Sequence, residues 1–362
     1  MEEATLRVES MKEEIEWDDF VASKLEGTFY HSAKWKNLIE RVFDYESLYL
    51  TLRDSNDEIV GIVPGFIRKF NRMVLYDSLP FGDQGGPMIE SGYEQEGART
   101  LLAYFKTRNV NVDCVKARFE NLELAHLFET PLTFNQTDLG LVDVDLNVTP
   151  SDFIWNKLFS ENRRRQIRRV EKDGFLVHEA TTRSEMNDFY ELYRPDMESL
   201  GVQALPYEFL ETAWDLFYPE NLQVWLLERE RPVGGVLLFK ERRTLYCFLA
   251  AVDKSSTQRH VIPYLWWRTI KTGEQTGYTH LSLGGTPKDP GDRYNRQKIR
   301  FGGTFHLQET VWYPLSISST IRIQARSKAT KIWTPVKKHL PEDVRTTMQN
   351  FWRLKFLRPL LP

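Results

Sequence analysis

An α/β (α+β) fold in two tandem halves, closed by a basic helical tail, is what this 362-residue sequence predicts. Three observations carry the prediction. The length suits two domains of ordinary size, at about 100–200 residues each. A strand–turn–strand pattern recurs at roughly half the chain length. The charge is also divided. From Pro314 to Pro362 ten Lys and Arg face only Glu342 and Asp343, a net charge of +8, while the remainder holds 38 cations against 49 anions, a net −11.

The first copy of the repeat is Glu46–Phe66, ESLYLTLRDSNDEIVGIVPGF; the second is Leu222–Phe239, LQVWLLERERPVGGVLLF. Each reads as an apolar strand, a charged turn and an arm with V-G-x4-F, so that Val60, Gly61 and Phe66 match Val233, Gly234 and Phe239. Alternation in the first arm makes each copy a β-hairpin. Glu96–Thr107 then has helical period and leads to the strand VNVDCVKARF; Pro263–Lys271 does the same before THLSLGG. Hairpin, strand, helix and strand in that order make an acetyltransferase (GNAT-like) fold, here twice. The domains expected are 1–145 and 146–313, with 314–362 a basic tail. Ile317, Ile321, Arg322, Arg326, Lys331, Ile332 and Trp333 give that tail an amphipathic helix, which either lies on an anionic membrane or packs back on the acidic body, on the first domain.

Near the start, FYHSAKW offers Ser32 as an N-cap and Trp35 as a core anchor; His31 receives a structural role and no catalytic one. After the boundary near Leu146, Thr149 or Ser151 caps a helix that runs through NRRRQIRRVEK to the stop at Asp173-Gly174. Further helices are expected over Ser184–Leu200 and Pro206–Phe217.

The two cysteines, Cys114 and Cys247, lie in apolar strand-like runs and read as reduced core thiols. They provide neither a disulfide framework nor zinc spacing, and no metal site is expected. The acidic N-terminus has no apolar run of the signal-peptide kind, and no stretch approaches the ~20 apolar residues of a membrane span. The expectation is a cytoplasmic protein, with the tail as a peripheral contact at the inner face of the membrane.

Three stretches can carry chemistry. Gly284–Gly303, GGTPKDPGDRYNRQKIRFGG, follows a strand and reads as a long loop in which free backbone N–H groups and cations meet. Its candidates for substrate contact are Asp289, Arg293, Asn295, Arg300, Phe301 and Gly302, with Lys298 at its centre. Arg165, Arg168, Arg169 and Lys172 fall on one helix face, where guanidinium groups can grip a diphosphate or a transfer-RNA backbone. The same pattern also fits a solvated basic face, with Glu161 pairing Arg165. Leu79–Met88, LPFGDQGGPM, has three glycines for close backbone approach, with Phe81, Gly82 and Asp83 toward a ligand; the alternative is a tight turn serving the fold.

At these stretches the sequence resembles the FemABX-like peptidyltransferases of the GNAT superfamily. RRRQIRRVEKDGF, YELYRPDMESLGVQALPYEFL and LGGTPKDPGDRYNRQKIRFGG look like the second domain of that family, and LPFGDQGGPM like the matching loop of the first. The resemblance covers most of Phe29–Trp312, and Lys298-x2-Phe301-Gly302 is its most specific piece. It implies twin GNAT folds and attack of an amine on an activated acyl group. The implied donor is aminoacyl-tRNA, with no permanently bound cofactor. The implied acceptor is a muropeptide or another nucleotide- or lipid-linked precursor. Lys298 falls where the family has a lysine important for transfer, and Tyr193 falls in the substrate-facing run.

The chain departs from the pattern in three places. The stretch where an acetyl-CoA loop should fall, Asp253–Pro263, reads DKSSTQRHVIP and has no glycine. The family's Asp-Pro after a first-domain strand is missing; VDCVKARFEN offers Asp113 or Glu120. There is no long helical arm for tRNA. Rival readings are an acyl-CoA-dependent N-acyltransferase acting on a sugar or exopolysaccharide precursor, a non-catalytic twin-GNAT binding module, and an RNA-binding factor without chemistry.

Overall fold

The computed structural model describes residues 6–70, 73–78, 80–107, 110–256 and 260–325. In chain order the elements are β1 (Arg7–Ser10), α1 (Glu14–Ser23), α2 (Ala33–Phe43), β2 (Glu46–Ser47), β3 (Leu50–Arg53), β4 (Ile59–Val63), β5 (Phe66–Phe70), β6 (Met73–Asp77), β7 (Met88–Ile89), α3 (Glu94–Lys106), β8 (Cys114–Phe119), α4 (Leu122–Leu127), β9 (Phe134–Gln136) and β10 (Leu139–Asp145). There follow α5 (Ser151–Phe153), α6 (Glu161–Lys172), β11 (Leu176–Glu179), α7 (Arg183–Ser199), α8 (Tyr207–Phe217), β12 (Leu222–Glu228), β13 (Pro232–Glu241), β14 (Thr244–Val252), α9 (Val261–Gln275), β15 (His280–Pro287), α10 (Arg293–Ile299), β16 (Thr304–Leu307) and β17 (Glu309–Pro314).

The chain forms two compact units, each assembled from separate segments. Unit 1 takes Met1–His31, Tyr45–Gln136 and Glu309–Pro362; unit 2 takes Ser32–Asp44 and Thr137–Gln308. These are not the boundaries read from the sequence at 145/146 and 313/314. Helix α2 and strand β10 cluster with unit 2, and β17 with unit 1. The reason is strand pairing. β10 lies between β15 and β16 in the seven-stranded sheet β11-β12-β13-β14-β15-β10-β16. β17 lies between β8 and β9 in the six-stranded sheet β2-β5-β6-β8-β17-β9, which unit 1 has besides its four-stranded sheet β1-β3-β4-β7.

The internal repeat is visible in the ladders. In the hairpin β3–β4 Gly61 faces Leu52, and in β12–β13 Gly234 faces Leu227; in each the register shifts at the next residue, beside the turn. Side chains are excluded at both glycines. A Cβ on Gly61 would lie 3.0 Å from the Met88 carbonyl oxygen, and one on Gly234 2.1 Å from the Val261 side chain. Each unit then places one parallel pair after a helix: β6 with β8 across α3, and β14 with β15 across α9. The long arm β13 of unit 2 corresponds to β4 and β5 together in unit 1, which divide at Pro64-Gly65.

Local signals explain most helix ends. Ser32 Oγ accepts from Trp35 N at 3.2 Å to open α2, whose Trp35 is fully buried and meets Phe209, Phe239 and Phe248 edge-on. Thr182 and Glu185 form a reciprocal capping box on α7. Two expectations are corrected. The helix expected from Thr149 to Asp173 is broken: α5 opens after Pro150 without a side-chain cap and passes into a π-turn over Ile154–Leu158. Phe159 is extended, and Ser160 then caps α6 afresh through Arg163 N at 3.2 Å. The long loop Gly284–Gly303 holds a helix: β15 runs to Pro287, and Asp292 Oδ1 accepts from Tyr294 N and Asn295 N to start α10.

Unit 2 has its core between the sheet and α6 and α9, with Val142, Ile167, Leu238, Leu265, Ile270 and Leu281 buried together. Each such side chain contributes about 1.5–3 kcal/mol. In unit 1 Leu50, Leu52, Leu101, Phe105, Phe119 and Val311 form the corresponding cluster. Residues 317–325 are helical, and Ile323 is buried beside Phe70, Met73, Leu75 and Cys114 of unit 1. The basic positions from Arg326 on lie outside the described residues. Among the described residues no helix is long and apolar enough to cross a membrane.

Candidate functional site

The sheet of unit 2 opens at one place. β14 and β15 pair in parallel only from Thr244–Tyr246 to His280–Ser282, although β14 continues to Val252 and β15 to Pro287. On their other edges the two strands stay paired, β14 with β13 as far as Val252 and β15 with β10 as far as Pro287. The facing backbone groups of the open stretch therefore have no ladder partner in the neighbouring strand, and are open to water, a ligand or a side chain.

Lys298 serves part of β15. It is 7% exposed, and Nζ donates to the carbonyls of Gly284 at 3.0 Å and Gly285 at 2.6 Å. Its charge also acts on Cys247 of β14, although burial dominates there and pushes that thiol up to about 12. Asn295, one turn earlier on α10, donates Nδ2 to the Pro287 carbonyl at 2.8 Å. Both residues thus strap the free end of β15.

A second feature is a group of cations at the start of α9. Burial, then Arg300, lowers the Arg163 guanidinium below its usual range. Burial, then Arg163 and Arg169, lowers the His260 imidazole. The Arg163 guanidinium lies 5.6 Å over the Phe301 ring. Among the described residues neither Arg163 nor Arg300 has a carboxylate partner. Arg163 and Arg169 thus lie within electrostatic reach of His260 at the N-terminus of α9, an end that favours anions. The stretch Asp253–Pro263 that leads into α9 includes Thr257, Gln258 and Arg259, which lie outside the described residues. At the end of β14 a cavity of about 280 Å³ is lined by Asp196, Arg231, Asp253 and Lys254 among others. Asp196 accepts from Val252 N at 3.1 Å and pairs with Lys254 at 2.9 Å.

The other residues expected in this unit divide. Arg165, Arg168 and Arg169 are exposed on α6, as the three-and-four spacing requires. Arg165 donates to Asn162 at 2.9 Å, Arg168 lies 5.4 Å over Trp155, and Arg169 is 3.7 Å from Asp173. Glu161 pairs with Arg164, not with Arg165, at 3.0 Å. Arg293 and Asp289 are exposed, and Asp289 Oδ1 accepts from Gly291 N at 2.8 Å to make the turn before α10.

Three candidates for substrate contact also serve the fold. Phe301 is fully buried against Phe159 and Trp266, because an aromatic ring gains more from the core than from the cleft. Gly302 is a left-handed turn at φ 88°, with Thr149 and Ile154 around it. Tyr193 is 3% exposed, stacked on Phe189, and its hydroxyl accepts from Leu205 N at 3.2 Å.

Unit 1 carries its own polar centre. Loop 80–88 begins with Phe81 at φ 68°, a conformation costly for a non-glycine residue and a mark of functional loops. Phe81 stacks parallel to Tyr45 at 6.5 Å. Arg118 donates to the Gly82 carbonyl at 2.9 Å, Ser78 Oγ to that of Gly85 at 3.2 Å, and His31 Nε2 lies 3.1 Å from that of Gly86. Asp83 is half-buried and Leu79 lies outside the described residues.

Beside the loop's first residues Asp77 is fully buried between Arg68 Nε at 2.5 Å and Lys116 Nζ at 3.2 Å. Burial alone would raise the Asp77 carboxyl; Lys116 and Arg68 outweigh it and hold it low. Burial raises the Tyr45 phenol, with Arg68 and Asp77 also acting on it. Sequence reasoning missed this group. Its signal is a lysine and an aspartate in apolar strands, KARF and LYDS. Of the acids singled out instead, Asp113 accepts from Val74 N at 2.8 Å and fixes the strand entry, and Glu120 is exposed.

Residues 158–296 match the acetyltransferase (GNAT) domain family. That stretch resembles a GNAT domain. The open β14/β15 pair and α9 belong to it, and the ladders of unit 1 repeat its order, so the chain holds two GNAT-like units. The FemABX-like resemblance is met as well. Over 120 residues the chain is 24% identical to a UDP-N-acetylmuramoylpentapeptide-lysine N(6)-alanyltransferase of Weissella viridescens. The match takes 33% of this chain and spans about a third of that relative's length, 35%. In fold the chain is similar to FemX, with a TM-score of 0.65 over 84% of this chain and 96% of that one at 13% identity. It is also similar to a tandem GNAT protein from the clavulanic acid biosynthesis pathway, with a TM-score of 0.58 over 86% and 99% at 8% identity.

Proposed function

We propose that this protein is an acyltransferase of the Fem type, moving an aminoacyl group from aminoacyl-tRNA to an amine of a cell-envelope precursor. The observation that carries the reading is the open end of β15, with Lys298 fixed beside it and the GNAT domain around it. The amine, once deprotonated, attacks the ester carbonyl; the C–O bond to the ribose breaks after a tetrahedral oxyanion. Lys298 supplies a fixed positive charge where that oxyanion or the leaving ribose oxygen develops. One well-placed donor is worth about 3–4 kcal/mol, on the order of 10²–10³ in rate. The cations at the start of α9 and on α6 hold phosphates, and loop 80–88 with Tyr45 and Phe81 is unit 1's own candidate for ligand contact. The alanyltransferase relative supports an aminoacyl group and a cell-envelope acceptor.

Acyl-CoA is the second reading of the donor. The grouping of Arg163, Arg169, Arg300 and His260 favours it, because a diphosphate at a helix N-terminus needs that arrangement even without glycines. The experiment offers labelled aminoacyl-tRNA pools and acetyl-CoA separately to purified protein, with a muropeptide precursor and a simple amino sugar as acceptors. Transfer from tRNA alone is the expected result. Transfer from acetyl-CoA alone overturns the Fem-type donor, and transfer from neither overturns the enzyme reading.

A further inference from the structure

His126, Glu129 and Glu309 converge in unit 1. His126 ends the last turn of α4, Glu129 follows three residues on, and Glu309 opens β17. One ligand atom from each lies within 4.8 Å of the others. His126 Nδ1 is 2.9 Å from Glu129 Oε1, and Asn135 Nδ2 of β9 donates to that same oxygen at 2.6 Å, which fixes the carboxylate.

Glu309 is the member that points to a ligand. It is 5% exposed, and among the described residues its carboxylate has no hydrogen bond and no ion pair within 4 Å. A carboxylate so largely enclosed keeps only slight contact with water, and a second carboxylate beside it raises the cost of its charge. A contrast within the protein makes this informative. His178 also stands between two glutamates, Glu185 and Glu228, at 3.5 Å each, but there the side chains are 32% and 41% exposed, and Glu185 Oε2 accepts from Thr181 N and Thr182 N.

We propose that His126, Glu129 and Glu309 bind one divalent cation of the zinc class, with water completing its shell. One imidazole and two carboxylates form a donor set that zinc accepts, whereas magnesium prefers oxygen alone. Ligand atoms about 2.0–2.2 Å from one zinc ion lie at most ~4 Å apart. The exposed His126 and Glu129 side chains close the remaining distance onto the fixed Glu309. The cation joins β17 to α4, whose ligands Glu309 and Glu129 are 180 positions apart in the sequence. It therefore clips the last strand of unit 1 into its sheet, and a cross-link closing so long a loop gains more than a short one.

The full chain, stripped with chelator, is titrated with zinc chloride by calorimetry and with cobalt(II) by visible absorption, and its melting is followed with and without zinc. One stoichiometric site and a rise in Tm are expected. His126→Ala and Glu309→Gln each weaken zinc binding at least about tenfold, the smallest effect that even outer-sphere partners have at metal sites. His178→Ala leaves binding unchanged. Should Glu309→Gln fail to fold, the exposed His126 variant carries the test. No stoichiometric binding, loss of binding in His178→Ala, or full affinity in His126→Ala overturns the site.

Discussion

Asp77 and Lys116 occupy one register position of the parallel pair β6/β8, with Lys116 Nζ 3.2 Å from Asp77 Oδ1. The two partners respond differently. The Asp77 carboxyl is held low despite its burial, while burial lowers the Lys116 ammonium and Asp77 only partly restores it. The aspartate thus gains from the pair and the lysine loses to desolvation. Asp77→Asn leaves Lys116 and Arg68 buried without a counter-charge, and a loss of about 3–5 kcal/mol is expected. Lys116→Met costs less, because Arg68 still serves Asp77. The sign in pH follows. A depressed carboxylate contributes stability above its unfolded pKa of about 3.9 and loses it as pH falls through the lower folded value. Urea melts from pH 7 to 3 should show an acid limb in the parent that is shallower in Asp77→Asn.

Lys298 has two tasks that can be separated. Its ammonium holds the carbonyls of Gly284 and Gly285, and by the proposed mechanism it stabilises the transition state. Lys298→Met leaves both carbonyls unserved, at about 1–3 kcal/mol of stability. Turnover should fall by at least about 10² with KM little changed, since a charge used only in the transition state lowers kcat. Lys298→Arg keeps a charge and donors; if it restores Tm but not kcat, the lysine acts on the reaction itself. Parent-like turnover in Lys298→Met removes it from the chemistry.

Much of this architecture is legible before any coordinates, and the failures have physical causes. Gly61 and Gly234 reveal the repeat because at each a Cβ would crowd a carbonyl oxygen at 3.0 Å, Met88 in one and Ala251 in the other. Strand exchange leaves no local trace: β10 and β17 look like ordinary strands, and only long-range pairing decides which sheet each joins. The family motif points Phe301 and Tyr193 toward substrate, while the structure buries both rings in the core. Asp77 and Lys116 were overlooked because hydrophobic alternation marks strands without ranking the charged residue inside one.

The cations at the start of α9 give a structural readout and a functional one. Burial, then Arg163 and Arg169, lowers the His260 imidazole. Arg163→Ala should therefore raise its pKa, which NMR titration detects without substrate. If these cations hold donor phosphates, Arg163→Ala and Arg300→Ala should each raise donor KM by about 10–100-fold, the value of one or two charge-assisted bonds at ~1.5–3 kcal/mol. The double variant should fall short of the product, because neighbours in one cluster are not additive. Unchanged donor KM in both single variants would move the phosphate site elsewhere.

Gly86 tests whether loop 80–88 is built for approach or merely turns the chain. A Cβ there would lie 1.8 Å from the Arg118 carbonyl oxygen, and backbone cannot yield as a flexible side chain does. The carbonyl of Gly86 also lies 3.1 Å from His31 Nε2, and Arg118 holds Gly82. Gly86→Ala must therefore displace β8 or the loop, at a cost of at least about 1–3 kcal/mol. Gly277→Ala is the control. Its left-handed φ of 87° has nothing within 4 Å, so only the backbone strain of about 1–2 kcal/mol applies. Urea midpoints should rank Gly86→Ala below Gly277→Ala. If loop 80–88 binds a substrate, Gly86→Ala raises that substrate's KM, while Gly277→Ala, which meets nothing within 4 Å, leaves it unchanged.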